Sequence, residues 1–307
     1  MKEPVKRPVA HPAREHGYPL DGTLRVNHLQ VKATHNSYHV ETGGNTQPDW
    51  KYTHAPLVVQ LESQGVRGLE LDTRFFNERF EVFHLPLVDE QTTCRVFVDC
   101  LRVLLGWSDA HPKHVPLFVQ IEPKDLPGDD PEAYFQKLEA DITSVWPRER
   151  ILAPDDIQGD AATLREAVTT RGWPTLAEAR GTILFYVDNS EVWRDAYTRG
   201  GKNLYGRLMF VDAKDDDPLA AVFILNDPKD RARIDAAAKA GFLVRTRADA
   251  AGSAEEHAAA LATGAHALSS DFPLTLTLPD ATPVRCNPVT APMGCTAAAL
   301  EDPAKLR

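Results

Sequence analysis

Residues 68–75 read Gly68-Leu69-Glu70-Leu71-Asp72-Thr73-Arg74-Phe75, GLELDTRF. Successive side chains of a strand point to opposite faces, so Glu70, Asp72 and Arg74 share one face and Leu69 and Leu71 the other. The run is one of eight short stretches rich in Val, Ile, Leu and Phe. The others are LQVKAT (29–34), VPLFVQIE (115–122), TILFYVD (182–188), RLMFV (207–211), AVFILN (221–226), GFLVR (241–245) and HALSS (266–270). Helical stretches lie between them: PLVVQLESQ before GLELDTRF, PEAYFQKLEADITSVW after the third run, and DRARIDAAAKA and SAEEHAAALATG before the last two. Strands alternating with helices imply a parallel sheet in the α/β class. Eight runs in about 250 residues suit a closed (β/α)8 TIM barrel better than an open doubly wound sheet.

The pattern is irregular in two places. DAKDDDPLA (212–220) is too short for a helix between its flanking strands, and EVFHLP (81–86) reads as an extra strand or loop after the second. There is no internal repeat, linker or change of composition at the midpoint. One domain is expected, with an N-terminal arm (1–24), a barrel (25–275) and a C-terminal tail (276–307).

Of the 307 residues, 43% are hydrophobic and 25% charged, ordinary values for a soluble globular chain. No apolar run approaches the roughly eighteen residues that span a bilayer. The net charge of −10 gives nucleic-acid binding no electrostatic support, and an anionic substrate would need local cations. The four cysteines form two close pairs, Cys94 with Cys100 and Cys286 with Cys295. Zinc-type CxxC spacing is absent, so disulfides and an oxidising compartment, extracellular or periplasmic, are expected. The N-terminal MKEPVKRPVAHPAREHG is polar and Pro-rich, without an apolar signal core.

Barrel enzymes place their reacting groups at the C-terminal ends of the strands. The first run ends in ATHNSYH (33–39), at His35 and Asn36. The second carries Glu70 and Asp72, and Arg74 continues their face. The third ends at Glu122 with Lys124 two residues on, the seventh at Arg245 with Arg247 beyond it, and the eighth at Asp271 in SSDFP. Carboxylates at positions usually filled by Val, Ile or Leu need a cation to hold them together. Oxygen ligands select a hard ion, and Asn36 with Glu70, Asp72 and Glu122 suits calcium better than magnesium. His84, in VFHLP, falls within reach of the same rim as His35. A pair of histidines answers the need of phosphodiester cleavage for one group that takes a proton and one that gives it. His11, His16, His28, His111, His114 and His257 have no such context and read as surface residues. His39 and His54 read as lining a loop, and nothing downstream calls for Tyr38 or His39.

THNSYH, GVRGLELDTRF, VFH and FVQIEPK, in this order, resemble the catalytic half of the phosphatidylinositol-specific phospholipase C superfamily. The closest resemblance is to its bacterial calcium-dependent branch, and VRTRADA and ALSSDFP extend it over roughly residues 25 to 275. The resemblance implies Asn36, Glu70, Asp72 and Glu122 as calcium ligands and His35 and His84 as the catalytic histidines. In calcium-independent relatives an arginine two residues after the second-strand aspartate does the metal's electrostatic work, and Arg74 occupies that position here. Arg74, Lys124 and Arg245 are candidate phosphate contacts, and Asp271 is a candidate to orient His35. The implied reaction is attack of the inositol 2-hydroxyl on phosphorus, releasing diacylglycerol and a cyclic inositol phosphate, on a phospholipid met transiently at a membrane surface. A glycerophosphodiester phosphodiesterase on the same barrel would share the three acids. A non-catalytic secreted module binding a phosphosugar or a protein would show an eroded site, whereas all six residues are present.

Overall fold

The computed structural model describes residues 17–44, 47–125, 130–188, 191–249, 253–279 and 282–302. His11 and His16, most of the N-terminal arm and the last residues of the tail lie outside them. The described strands are β1 (Leu29–Thr34), β2 (Val66–Phe76), β3 (Arg79–Val82), β4 (Leu117–Pro123), β5 (Ile183–Val187), β6 (Met209–Val211), β7 (Val222–Ile224), β8 (Leu243–Arg247), β9 (Ala267–Ser270) and β10 (Val284–Cys286). Eight of them run parallel in the order β6-β5-β4-β2-β1-β9-β8-β7. The two outer strands of that order meet only through a single parallel bridge, Asp212 with Val222. The result is a nearly closed barrel with its seam between β6 and β7. The seam falls where 212–220 is too short for a helix, and residues 214–219 form turns.

The α-helices are α1 (Leu57–Glu62), α2 (Phe97–Ala110), α3 (Pro131–Val145), α4 (Pro154–Gln158), α5 (Leu164–Glu166), α6 (Leu176–Ala179), α7 (Glu191–Tyr197), α8 (Arg231–Lys239), α9 (Ala254–Leu261) and α10 (Ala297–Leu300), joined by short 3-10 and π turns. α1, α3, α8 and α9 fall where the sequence places helices. The sequence reading passes over α2, although Phe97, Cys100, Leu101, Leu104 and Trp107 repeat at helical spacing and are buried. Both expected disulfides form, Cys94–Cys100 and Cys286–Cys295. EVFHLP begins in β3, which pairs antiparallel with the outer half of β2 through Thr73–Val82 to Phe76–Arg79. The strand pair therefore rises past the barrel rim, and His84 follows it.

Inward positions change character up the barrel. Its lower part is apolar and tight: Phe118, Leu184, Val222 and Ala267 face one another. A Cβ at Gly68 would lie 2.5 Å from that of Ala33, so glycine is required for β1 and β2 to pack here. Two residues further up β2 stands Glu70, in register with Gln120, and two further Asp72, in register with Glu122. The polar half thus opens on the C-terminal face of the sheet.

The opposite end is closed by the tail. β10 pairs antiparallel with the start of β1. Arg67, pointing outward from β2, donates through Nε to Glu301 at 2.7 Å and lies over the Trp107 ring. Glu301 also accepts the Val115 N–H at 3.0 Å, and both charged residues are buried. Nearby, the Asp302 N–H donates to the Tyr18 hydroxyl at 3.0 Å. No described helix is long and apolar enough to cross a membrane.

Candidate active site

The turn after β1 is held without glycine. Asn36 adopts a left-handed conformation, φ +43°, which asparagine tolerates better than most residues. Its carbonyl accepts the His39 N–H at 2.7 Å. Ser37 then locks the turn to β2, its N–H donating to Glu70 O at 2.9 Å and its Oγ accepting the Glu70 N–H at 2.8 Å. Gln60 of α1 bonds Thr34 Oγ1 and the Ser37 carbonyl. These polar residues do locally what a glycine turn cannot: they fasten His35 and Asn36 beside Glu70.

Glu70, Asp72 and Glu122 each offer an oxygen within 4.8 Å of the others. Two cations of the protein touch them. Lys124 Nζ lies 2.5 Å from Glu122 and 3.4 Å from Asp72. Arg245 is buried, donating to Glu70 Oε2 at 2.6 Å and to Ser269 Oγ at 3.1 Å, with its other arm on Asn226. Its guanidinium thus stands inside the barrel, against Glu70. Three carboxylates against two cations leave an acidic excess, and burial with Glu122 and Glu70 nearby pushes Asp72 well above the usual carboxylate range despite Lys124. Asn36 Oδ1 and both carboxylate oxygens of Asp72 are buried and complete no hydrogen bond of good geometry, Lys124 standing 3.4 Å from Asp72 as its ion-pair partner. Orphaned oxygens beside excess acid, in an oxygen-only donor set, fit a hard divalent cation such as calcium.

Arg74 does not join them. Its guanidinium donates to the His84 carbonyl at 2.6 and 3.2 Å and to the Lys124 carbonyl at 2.9 Å. At this point β2 continues into the β3 hairpin. Arg74 is thereby carried beyond the rim, where it ties that hairpin to the end of β4.

His35 stands beside the acids. Its Nδ1 lies 2.8 Å from Asp271 Oδ1 and 3.3 Å from the Tyr52 hydroxyl, and its Nε2 faces Glu70 at 3.8 Å. Asp271 is held in turn by Arg247 at 2.7 Å and by Asp249, which accepts its backbone N–H at 2.8 Å. Burial lowers His35 well below the ordinary histidine range, Glu70 opposing the shift. Burial likewise pushes Asp271 up to about 6, against Arg247. Across the rim, His84 Nδ1 lies 2.8 Å from Asp89, and Trp50 meets its ring edge-on. Burial lowers His84 too, Asp89 opposing.

Several groups escaped the sequence reading. His39 is wholly buried and contacts Asp89, and His54 Nε2 lies 2.8 Å from the His35 carbonyl. His111, His114 and His257 are buried as well, against Trp107, Ser108 and Asp249 respectively. Their partners come from folding rather than from neighbouring sequence. Asp188, at the end of β5, accepts from Gln120 at 2.8 Å, and burial beside Glu122 and Glu70 pushes it up to about 7. Only its place at a strand end could have marked it.

Three comparisons bear on this site. The profile described as phosphoinositide phospholipase C, Ca2+-dependent, matches residues 73–288. The fold is similar to a calcium-dependent phosphoinositol-specific phospholipase C from a Gram-negative Pseudomonas species, with a TM-score of 0.66 at 16% identity, covering 89% of this chain and 99% of that one. A structure of that Pseudomonas protein in complex with myo-inositol matches equally well, with 17% identity. The fold is also similar to a Ca2+-dependent phosphatidylinositol-specific phospholipase C from Streptomyces antibioticus, with a TM-score of 0.61 at 20% identity, covering 83% of this chain and 98% of that one. No curated protein matches the sequence.

Proposed function

Because the chain belongs to the Ca2+-dependent phosphoinositide phospholipase C family, we propose that it cleaves phosphatidylinositol or a related inositol phospholipid with calcium, giving diacylglycerol and a cyclic inositol phosphate. One observation carries the reading. Buried oxygens of Asn36 and Asp72 accompany Glu70 and Glu122, His35 stands beside them, and the Nδ1 atoms of His35 and His84 each rest on an aspartate. Calcium held by Asn36, Glu70, Asp72 and Glu122 supplies charge neutralisation at the phosphoryl oxygens and lowers the pKa of the attacking hydroxyl.

The chain's own groups move the protons. Asp271 fixes the proton of His35 on Nδ1, leaving Nε2 to take the proton of the inositol 2-hydroxyl as its oxygen bonds to phosphorus. The lowered proton affinity of His35 keeps Nε2 bare at neutral pH. His84 gives a proton to the leaving alkoxide of diacylglycerol as the P–O bond breaks. Lys124, already at the rim, is the candidate phosphate contact once it leaves Glu122 and Asp72. The myo-inositol bound by the Pseudomonas protein supports an inositol head group. The two disulfides suit a protein working outside the cytoplasm, on lipid met transiently at a membrane surface. The arm (1–24) and the tail (276–307) would serve a single barrel (25–275).

Phosphorus NMR of phosphatidylinositol incubated with the protein tests the reading. A cyclic phosphate signal appearing with calcium and vanishing with chelator is expected. Turnover unaffected by chelator would reject the metal, and no turnover of any inositol lipid would reject the substrate.

A further inference from the structure

Asp89 lies in the loop after β3, fully buried, and three side chains converge on its carboxylate. His84 Nδ1 stands 2.8 Å from Oδ2, His39 Nε2 2.9 Å from Oδ2 and 3.1 Å from Oδ1, and Thr42 donates to Oδ1 at 3.3 Å. The other ring nitrogen of His39 lies 2.9 Å from the Tyr52 carbonyl oxygen. Carboxylate oxygens only accept, so a ring nitrogen facing one carries a proton there. His39 thus bridges the Tyr52 carbonyl and the Asp89 carboxylate. The same rule places the His84 proton on Nδ1 and leaves its Nε2 turned away from Asp89. The loop is rigid around this contact. Leu85 and Asp89 exchange backbone hydrogen bonds at 3.0 and 2.9 Å, and Arg74 holds the His84 carbonyl.

We infer that Asp89 and His39 form a buried, hydrogen-bonded pair whose task is to position His84. Asp89 holds the Nδ1 proton of His84, so a second proton, on Nε2, is the one given to the leaving alkoxide as the P–O bond breaks. The inference rests on the reading of His84 as proton donor. Both members of the pair are positioning residues, acting through His84 without touching the substrate. Sequence spacing hides them, because Asp89 meets a histidine fifty residues before it.

The test uses the full chain saturated with calcium, histidine-labelled for nitrogen NMR, with phosphatidylinositol in detergent micelles as substrate. In Asp89→Asn an amide can turn a donor toward His84 Nδ1, so the ring is expected to move to the Nε2–H tautomer. The expected loss is about 100-fold in kcat, with KM changing less than about 3-fold, the scale seen when a second-shell partner is lost. His39→Gln, which keeps one N–H for Asp89, should lose less than His39→Leu. Unchanged calcium binding by calorimetry certifies that the variants fold. A folded Asp89→Asn protein that keeps the Nδ1–H signal, or that turns over within 2-fold of wild type, overturns the inference. Full activity in His84→Ala would instead sink the donor reading. The tautomer signal, which needs no turnover, still decides whether Asp89 fixes the ring.

Discussion

The two sides of the rim solve one problem with different materials. On each, an aspartate lies 2.8 Å from a histidine Nδ1. On the His35 side both residues stand at barrel strand ends, β1 and β9, and the aspartate is backed by Arg247, whose charge is permanent. On the His84 side both residues stand on the excursion after β3, and the aspartate is backed by a second histidine. One side is aligned by closure of the whole sheet, the other by a hairpin and a few loop contacts. Tyr52 joins them, its hydroxyl 3.3 Å from His35 Nδ1 and its carbonyl taking His39. The difference teaches that orientation of an imidazole needs only a buried carboxylate with a donor behind it, and that the donor's chemistry is free to vary.

The most severe break in the comparison is His35→Ala. Loss of a positioned acid or base costs roughly 10²–10⁴-fold in rate, and kcat here should fall toward the larger figure while calorimetric calcium affinity holds. Full activity in this variant would leave the barrel side without a role. Asp72→Asn acts between the two sides: calcium affinity should drop at least about 10-fold, with both histidine nitrogen signals unmoved. Arg247→Met then tests the permanent cation. Burial already pushes Asp271 up to about 6, and Arg247 opposes that shift. Its removal raises the carboxyl further, and only the ionised form holds Nδ1–H. Activity should therefore fall more at pH 6 than at pH 8, visible as an acid limb moved upward; an unmoved limb would detach Asp271 from His35.

The wild-type pH profile sharpens the other side. A proton donor loses activity as pH rises through its pKa, and burial lowers His84 below 6.5. The alkaline limb of kcat/KM should lie below that value, and a limb above it would place the donor elsewhere. Tyr52→Phe is expected to do least. It removes the hydroxyl's contacts with His35 at 3.3 Å and with Asn36 and keeps the carbonyl under His39, so kcat should change less than about 3-fold, the scale of weak neutral hydrogen bonds.

The same contrast explains what could be read from the sequence. His35, Asn36, Glu70, Asp72, Glu122 and Asp271 announce themselves because a strand's period and a barrel's polarity fix where strand ends point. The β3 excursion was also visible, in EVFHLP. Its partners were not: Asp89 and His39 meet through loop packing, which has no period. Arg74 shows the limit from the other direction. Its alternation along β2 is real, but the strand outruns the barrel, so its guanidinium meets the His84 and Lys124 carbonyls, contacts that no period announces. The missed helix α2 had its spacing in plain view, obscured by the disulfide that overlaps its first turn.

Arg67 and Glu301 close the floor of the barrel from positions 234 residues apart. Breaking a buried ion pair by removing one partner costs about 3–5 kcal/mol, a large share of a domain's stability. On the ribosome, Arg67 waits for its counter-charge while all the residues between them are made. Every candidate catalytic group has been made by residue 271, whereas the floor is fastened only at Glu301. Translation thus supplies the residues of the rim before this fastening, so the nascent chain gains the stability of the buried pair only after the candidate site has been made.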